Sequence, residues 1–180
     1  MNSFYSEKEL TALGLKEYGS NVLISRKCSI YSPEKIIIGN NVRIDDFCIL
    51  SGKITLGSHI HISAYSSIYG NMGVIMEDYT GLSPRSTIYS TMDDFNGNFL
   101  IGPIHEKHLT NVTGGLVKIC KYSQIGANSI IFPNLIIEEG VVVGASSLVK
   151  NSLKAWGIYA GIPAKRIKER SDNLLKLLKP

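Results

Sequence analysis

The chain holds four histidines, His59, His61, His105 and His108, and these are the side chains best placed to move a proton near neutral pH. Two sit in His59-Ile60-His61 and two in His105-Glu106-Lys107-His108. Adjacent carboxylates occur at Asp45-Asp46 and at Asp93-Asp94. An imidazole oriented by a carboxylate is a general base. A catalytic zinc would need three histidines converging on one ion, and these two spacings do not provide that pattern. Cys28, Cys48 and Cys120 are far apart and form no C-x-x-C pair. They are expected as reduced structural thiols, with no metal site.

The elements that must position these groups follow from a repeat. Aliphatic residues recur every six positions at Ile38, Ile44, Leu50, Leu56, Ile62, Ile68 and Val74, and again at Ile119, Ile125, Ile131, Ile137, Val143 and Val149. Shorter runs are Ile24–Ile30 and Met76–Leu82–Ile88, with phase slips of two residues at Pro33-Glu34 and near Val74. Four residues after each aliphatic stands a small or apolar residue, such as Val42, Cys48, Ser66, Ser123 or Ser129. A period of six fits neither a helix nor an ordinary alternating strand. It fits short flat strands joined by sharp corners, three to a coil, with the aliphatic stacked on its equivalent one coil away. The fold expected is all-β, a parallel β-helix over residues about 20–160, with about six coils.

Three segments fall outside the rhythm. Ser6 and Glu9 form a capping box for a short N-terminal helix that Gly14 can end. Residues about 92–115 are rich in Asp, Asn, Gly and Thr and read as a functional excursion. Residues about 164–178 read as an amphipathic C-terminal helix, with Ile167, Leu174, Leu175 and Leu178 on one face. The whole is expected as one domain, residues 1–180.

The formal net charge is +4, and many basic residues follow residue 149: Lys150, Lys154, Lys165, Arg166, Lys168, Arg170, Lys176 and Lys179. A local basic patch suits a phosphate-bearing ligand. No recognition motif accompanies it, so nucleic acid is not an expected partner. The polar N-terminus and the lack of an apolar run of membrane-spanning length predict a cytoplasmic protein.

The hexads, the excursion and the ending Trp156-Gly157-Ile158-Tyr159-Ala160-Gly161-Ile162-Pro163-Ala164-Lys165 resemble the hexapeptide-repeat acyltransferases. The similarity is greatest to the galactoside and maltose O-acetyltransferases and to enzymes that acetylate O-antigen or capsule sugars. The resemblance implies a left-handed β-helix, a homotrimer with intersubunit active sites, acetyl-CoA as donor and a small-molecule sugar as acceptor. It places pantetheine contacts on Ala127 and Ala145. Lys150 and Asn151 match a Thr-Lys pair beside the cofactor, with the lysine one place early. Lys165 and Lys168 match arginines near the nucleotide phosphates, keeping the charge without the bidentate fork.

The family's catalytic histidine begins the excursion, where this chain has Asp93, followed by Asp94 in place of a proline. His61 is therefore the preferred base. His59 and His61 flank inward-pointing Ile60 and so point outward. Ser63 matches an asparagine that lines the family's active site. One coil is eighteen residues, so Asp45 stacks below Ser63 and joins His61 in a polar patch with Asp46 at its edge. Asp93 or Asp94 could orient the imidazole from a neighbouring subunit. An Asp93 base would need desolvation to raise its low pKa, and His105 and His108 are the other candidates. Tyr65, Tyr69, Tyr89 and Phe95 surround this region without an assigned role. The reaction expected is acetyl transfer to a sugar hydroxyl. The alternatives are amino-sugar N-acetylation, in which a more nucleophilic amine asks less of the base, and a non-catalytic sugar-binding or scaffold trimer.

Overall fold

A computed structural model describes residues 3–178 and shows a left-handed parallel β-helix. Each coil is a triangle of three short strands. The first face stacks Glu17–Tyr18, Ile36–Ile38, the second halves of Ile49–Leu56 and Ser67–Met76, Val117–Ile119 and Leu135–Ile137. The second face stacks Val22–Ile24, Val42–Ile44, Ile60–Ile62, Gly81–Leu82, Gln124–Ile125, Val142–Val143 and Gly157–Gly161. The third stacks Ser29–Tyr31, the first halves of the two long strands, Thr87–Tyr89, Ile130–Ile131 and Leu148–Val149.

The hexad aliphatics are the core. Ile44, Leu50, Ile62, Ile68, Leu82, Ile88, Ile125 and Ile131 are fully buried. Ser66, Ser86, Ser123 and Ser129 share that interior, and each hydroxyl donates to a backbone carbonyl. These bonds remove the cost of burying a polar group. The structure has about seven turns, one more than the aliphatic count predicts. The last coil turns inward on Tyr159, 7% exposed, which is no aliphatic and escapes a hexad count. The phase slips are insertions at corners. Pro33–Lys35 forms a short 3-10 turn, and two extra residues enter between Gly70 and Val74.

The N-terminal helix Glu7–Ala12 forms with the Ser6–Glu9 capping box, and Gly14 follows at φ +72°. The excursion leaves as Thr91–Asp93 and returns antiparallel as Val112–Gly114. The expected C-terminal helix is corrected. Ala164–Glu169 is a strand, antiparallel to Gly157–Gly161. The turn through Gly161, at φ +105°, folds the chain back onto the otherwise open edge of the last coil, whose backbone groups need partners. Ile167 is exposed and lies on no buried helix face. Only Asn173–Leu178 is helical, as a 3-10 segment. Lys179 lies outside the described residues. None of the described helices is long and apolar enough to cross a membrane.

Ile62 is fully buried between Ile44 and Leu82 of the adjoining coils. Ile62→Ala is expected to lower unfolding stability by about 2–5 kcal/mol in a denaturant titration.

Candidate active site

Outward positions form columns along the second face and its corner with the third. Arg43, His61, Gly81 and Gln124 align across four coils. Two residues further on, Asp45, Ser63, Ser83 and Gly126 align in the same way. Each donates its N–H to the next coil, at 2.8–2.9 Å. His61 Nε2 lies 2.8 Å from an Asp45 carboxylate oxygen, and Arg43 Nε donates to the other oxygen at 2.7 Å. The expected His61–Asp45 pair is thus formed, with Arg43 as a third member. Partial burial pushes the Asp45 carboxyl up, but the hydrogen bonds from Arg43 and His61 outweigh it and hold the group below the ordinary carboxylate range. Asp45 occupies the Nε2 side of the half-exposed His61 ring, and Nδ1 is the ring nitrogen turned away from that carboxylate.

Ser63 stands beside this pair on the same column. Asp46 does not join it: its carboxylate accepts from Ser25 and Lys27 on the preceding coil. Ser83 and Gln124 extend the polar column, with Gln124 Nε2 donating to Ser83 Oγ at 3.2 Å. Gln124 folds across Gly81, where an added Cβ would come within 2.3 Å of its side-chain oxygen. Ser83 and Gln124 do not follow the eighteen-residue spacing, because the excursion and the slip near Val74 lengthen the path between aligned positions. Arg43 was within reach, two residues from Asp45 on one outward face.

Ala127 and Ala145 follow at the same corner on successive coils, linked by Ser146 N–H donating to the Ala127 carbonyl. Among the described residues their own N–H groups donate to no partner. Lys150 lies over the Phe132 ring, and Asn151 is exposed beside it. Lys165 and Lys168 are exposed on the terminal strand rather than on a helix, pairing in register with Ala160 and Ile158.

Asp93 lies elsewhere in the chain. It lines a cavity of about 380 Å³ with Asn71, Thr91, His105 and Lys107, and a second of about 340 Å³ with Tyr89, Phe95, Ile130 and Phe132. Asp94 accepts from Asn96 N–H and closes a local turn. His108 faces Glu106 at 3.4 Å on the exposed loop. Among the described residues no group of three or more His, Cys, Asp or Glu side chains gathers at metal-binding distances. Burial pushes the Cys28 thiol up to about 12 and Cys48 to about 11, which keeps both protonated.

Because the folded-state pKa of Asp45 is depressed, its contribution to stability is present above the unfolded value of ~3.9 and is lost as pH falls through the folded value. Asp45→Asn is expected to cost about 1 kcal/mol at pH 5, with the difference from wild type shrinking toward pH 2 in paired unfolding titrations.

No family model matches the chain. An acyltransferase for dTDP-4-amino-4,6-dideoxy-D-glucose from Escherichia coli is 44% identical over 178 residues, 97% of this chain and 93% of that one. The crystal structure of AntD, an N-acyltransferase from Bacillus cereus, in complex with dTDP and 3-hydroxybutyryl-CoA superposes with a TM-score of 0.96 at 53% identity, covering 99% and 95% of the two chains. A serine-to-alanine variant of AntD, in complex with dTDP-4-amino-4,6-dideoxyglucose and coenzyme A, superposes with a TM-score of 0.97 at 52% identity, covering 99% and 96%. Identity at this level over nearly the whole length, on the same stacked coils, means that the chain is an acyltransferase and belongs to the hexapeptide-repeat acyltransferase family.

Proposed function

We propose that this enzyme transfers an acetyl group from acetyl-CoA to the amine of a dTDP-linked amino sugar. The observation that carries the proposal is the near-full-length similarity to an acyltransferase for dTDP-4-amino-4,6-dideoxy-D-glucose and to an N-acyltransferase crystallised with dTDP and an acyl-CoA. It moves the acceptor from the hydroxyl expected first to the amine expected second. Chemistry agrees with the move, since a neutral amine needs less activation than a hydroxyl before it attacks a thioester carbonyl.

In this mechanism the amine nitrogen bonds to the carbonyl carbon and gives up a proton to His61 Nδ1. Asp45 and Arg43 hold the ring, and the carbon–sulfur bond breaks as the thiolate leaves. The proton then passes to the thiolate, giving amide and free CoA. Ser63 and Ser83 face the acceptor from the same column. Ala127 and Ala145 hold the pantetheine through their N–H groups, Lys150 and Asn151 flank it, and Lys165 and Lys168 meet the nucleotide phosphates. Asp93 comes from a neighbouring copy in a homotrimer and holds the acceptor amine, with Asp94 supporting its turn. Variants of AntD replaced at an aspartate or at a serine were crystallised with nucleotide and coenzyme A bound, which supports a carboxylate and a hydroxyl at such a site. The enzyme would work in the cytoplasm, which supplies acyl-CoA.

Thiol release from acetyl-CoA is expected with dTDP-4-amino-4,6-dideoxyglucose and not with dTDP-glucose, which offers only hydroxyls; the reverse preference would overturn the amine acceptor. His61→Ala should lower turnover ~10²–10⁴-fold with the fold intact, and unchanged turnover would reassign the proton acceptor. Light scattering should give the mass of three chains, and a fully active monomer would remove Asp93 from the site.

A further inference from the structure

At the corner between the second and third faces, the residues following the site column form a stack of their own. Lys27, Phe47, Tyr65 and Arg85 lie on four successive coils. The Lys27 ammonium sits 5.2 Å from the Phe47 ring, the Phe47 and Tyr65 rings stack at 5.0 Å, and the Arg85 guanidinium lies 5.6 Å from the Tyr65 ring. All four are exposed, Phe47 by 47% and Tyr65 by 54%. Phe47, Tyr65 and Arg85 are held with φ near +60°, a conformation unfavourable for such side chains.

The two cations differ. Lys27 is paired with Asp46 at 3.0 Å. Arg85 has no carboxylate partner among the described residues. Its guanidinium lies over the Tyr65 ring and is exposed, so its N–H donors are not spent on a carboxylate. A guanidinium without a carboxylate partner can bind a phosphate oxygen pair through two N–H donors. Arg85 is two residues from Ser83, on the side of the column that leads to Ser63 and Asp45 and away from Ala127 and Ala145.

We infer that Arg85, seated over the end of the Phe47–Tyr65 stack, binds the diphosphate of the nucleotide-linked acceptor. The inference rests on the acceptor proposed above. The donor also carries a diphosphate, but at the far end of a pantetheine chain that runs over Ala127 and Ala145 toward Lys165 and Lys168. Arg85 lies at the opposite end of that track.

The test measures binding of dTDP, thymidine and CoA to the intact enzyme by calorimetry. Arg85→Asn keeps a residue that tolerates the left-handed corner. It should weaken dTDP by ~10–100-fold, the range for a lost charge-assisted hydrogen bond pair, and leave thymidine and CoA unchanged. Tyr65→Asn keeps Arg85 but removes the ring it lies over, and should weaken dTDP by a smaller factor. Arg85→Lys should restore part of the loss. Unchanged dTDP binding in both asparagine variants would overturn the inference while leaving the proposed acceptor standing. A loss confined to CoA would assign Arg85 to the donor and overturn it as well. A loss of thermal stability with no change in dTDP affinity would make the stack purely structural. Wild-type enzyme that binds no dTDP would overturn the acceptor itself, and this inference with it.

Discussion

One ladder of backbone hydrogen bonds sets the position of everything in the candidate site. Asp45 donates to Ile62, Ser63 to Leu82, Ser83 to Ile125, Gly126 to Val143 and Gly144 to Tyr159, all at 2.7–2.9 Å. Each bond joins one coil to the next at the same place on the corner. A slip of one residue anywhere would exchange inward and outward side chains from that coil onward. The buried aliphatics oppose such a slip, because it would replace Ile62 or Ile125 in the core with His61 or Gln124. The geometry of the polar column is therefore a consequence of core burial.

The corners bear a cost that the columns help to offset. Asn21, Asn41, His59, Tyr79, Tyr122 and Trp156 all occupy the left-handed region at one corner, and Phe47, Tyr65, Arg85, Asn128 and Ser146 do so at the next. Asparagine accepts this conformation readily, whereas bulky side chains lose about 1 kcal/mol or more. Their rings recover part of it by stacking on the equivalent residue one coil away. His59 lies 4.6 Å from Tyr79, and Tyr79 lies 5.5 Å from Tyr122. Such pairs contribute about 0.5–1.5 kcal/mol beyond burial. The same regularity that strains each corner residue supplies its partner.

The repeat was legible because it is a statement about burial, and burial leaves a periodic mark on residue type. The His61–Asp45 pair was legible for the same reason, since eighteen residues is one coil and the path from Asp45 to Ser63 contains no insertion. Legibility ended where the count was interrupted. Ser83 aligns with Gly126 across the whole excursion, so no fixed spacing links them. The C-terminal segment misled for a different reason. Its apolar residues have helical spacing, but the open edge of the last coil offers backbone partners that a local pattern does not record. Propensity yielded there to a tertiary hydrogen-bond requirement. The proposed amine acceptor has no mark in residue spacing, because a hydroxyl and an amine attack the same thioester carbonyl.

The distribution of charged groups bears on how many chains complete the site. His61 points outward from the second face, and Asp93 lies beyond the third face, among Tyr89, Ile130 and Phe132. The coils make a convex prism, so outward groups on different faces diverge. His61 and Asp93 therefore belong to separate surfaces of one chain. In the proposed trimer the corner of one copy would face the excursion of another, and chemistry could use both. The two carboxylates are kept apart: Asp45 accepts from Arg43 and pairs with His61, while Asp93 lines the cavities at the root of the excursion.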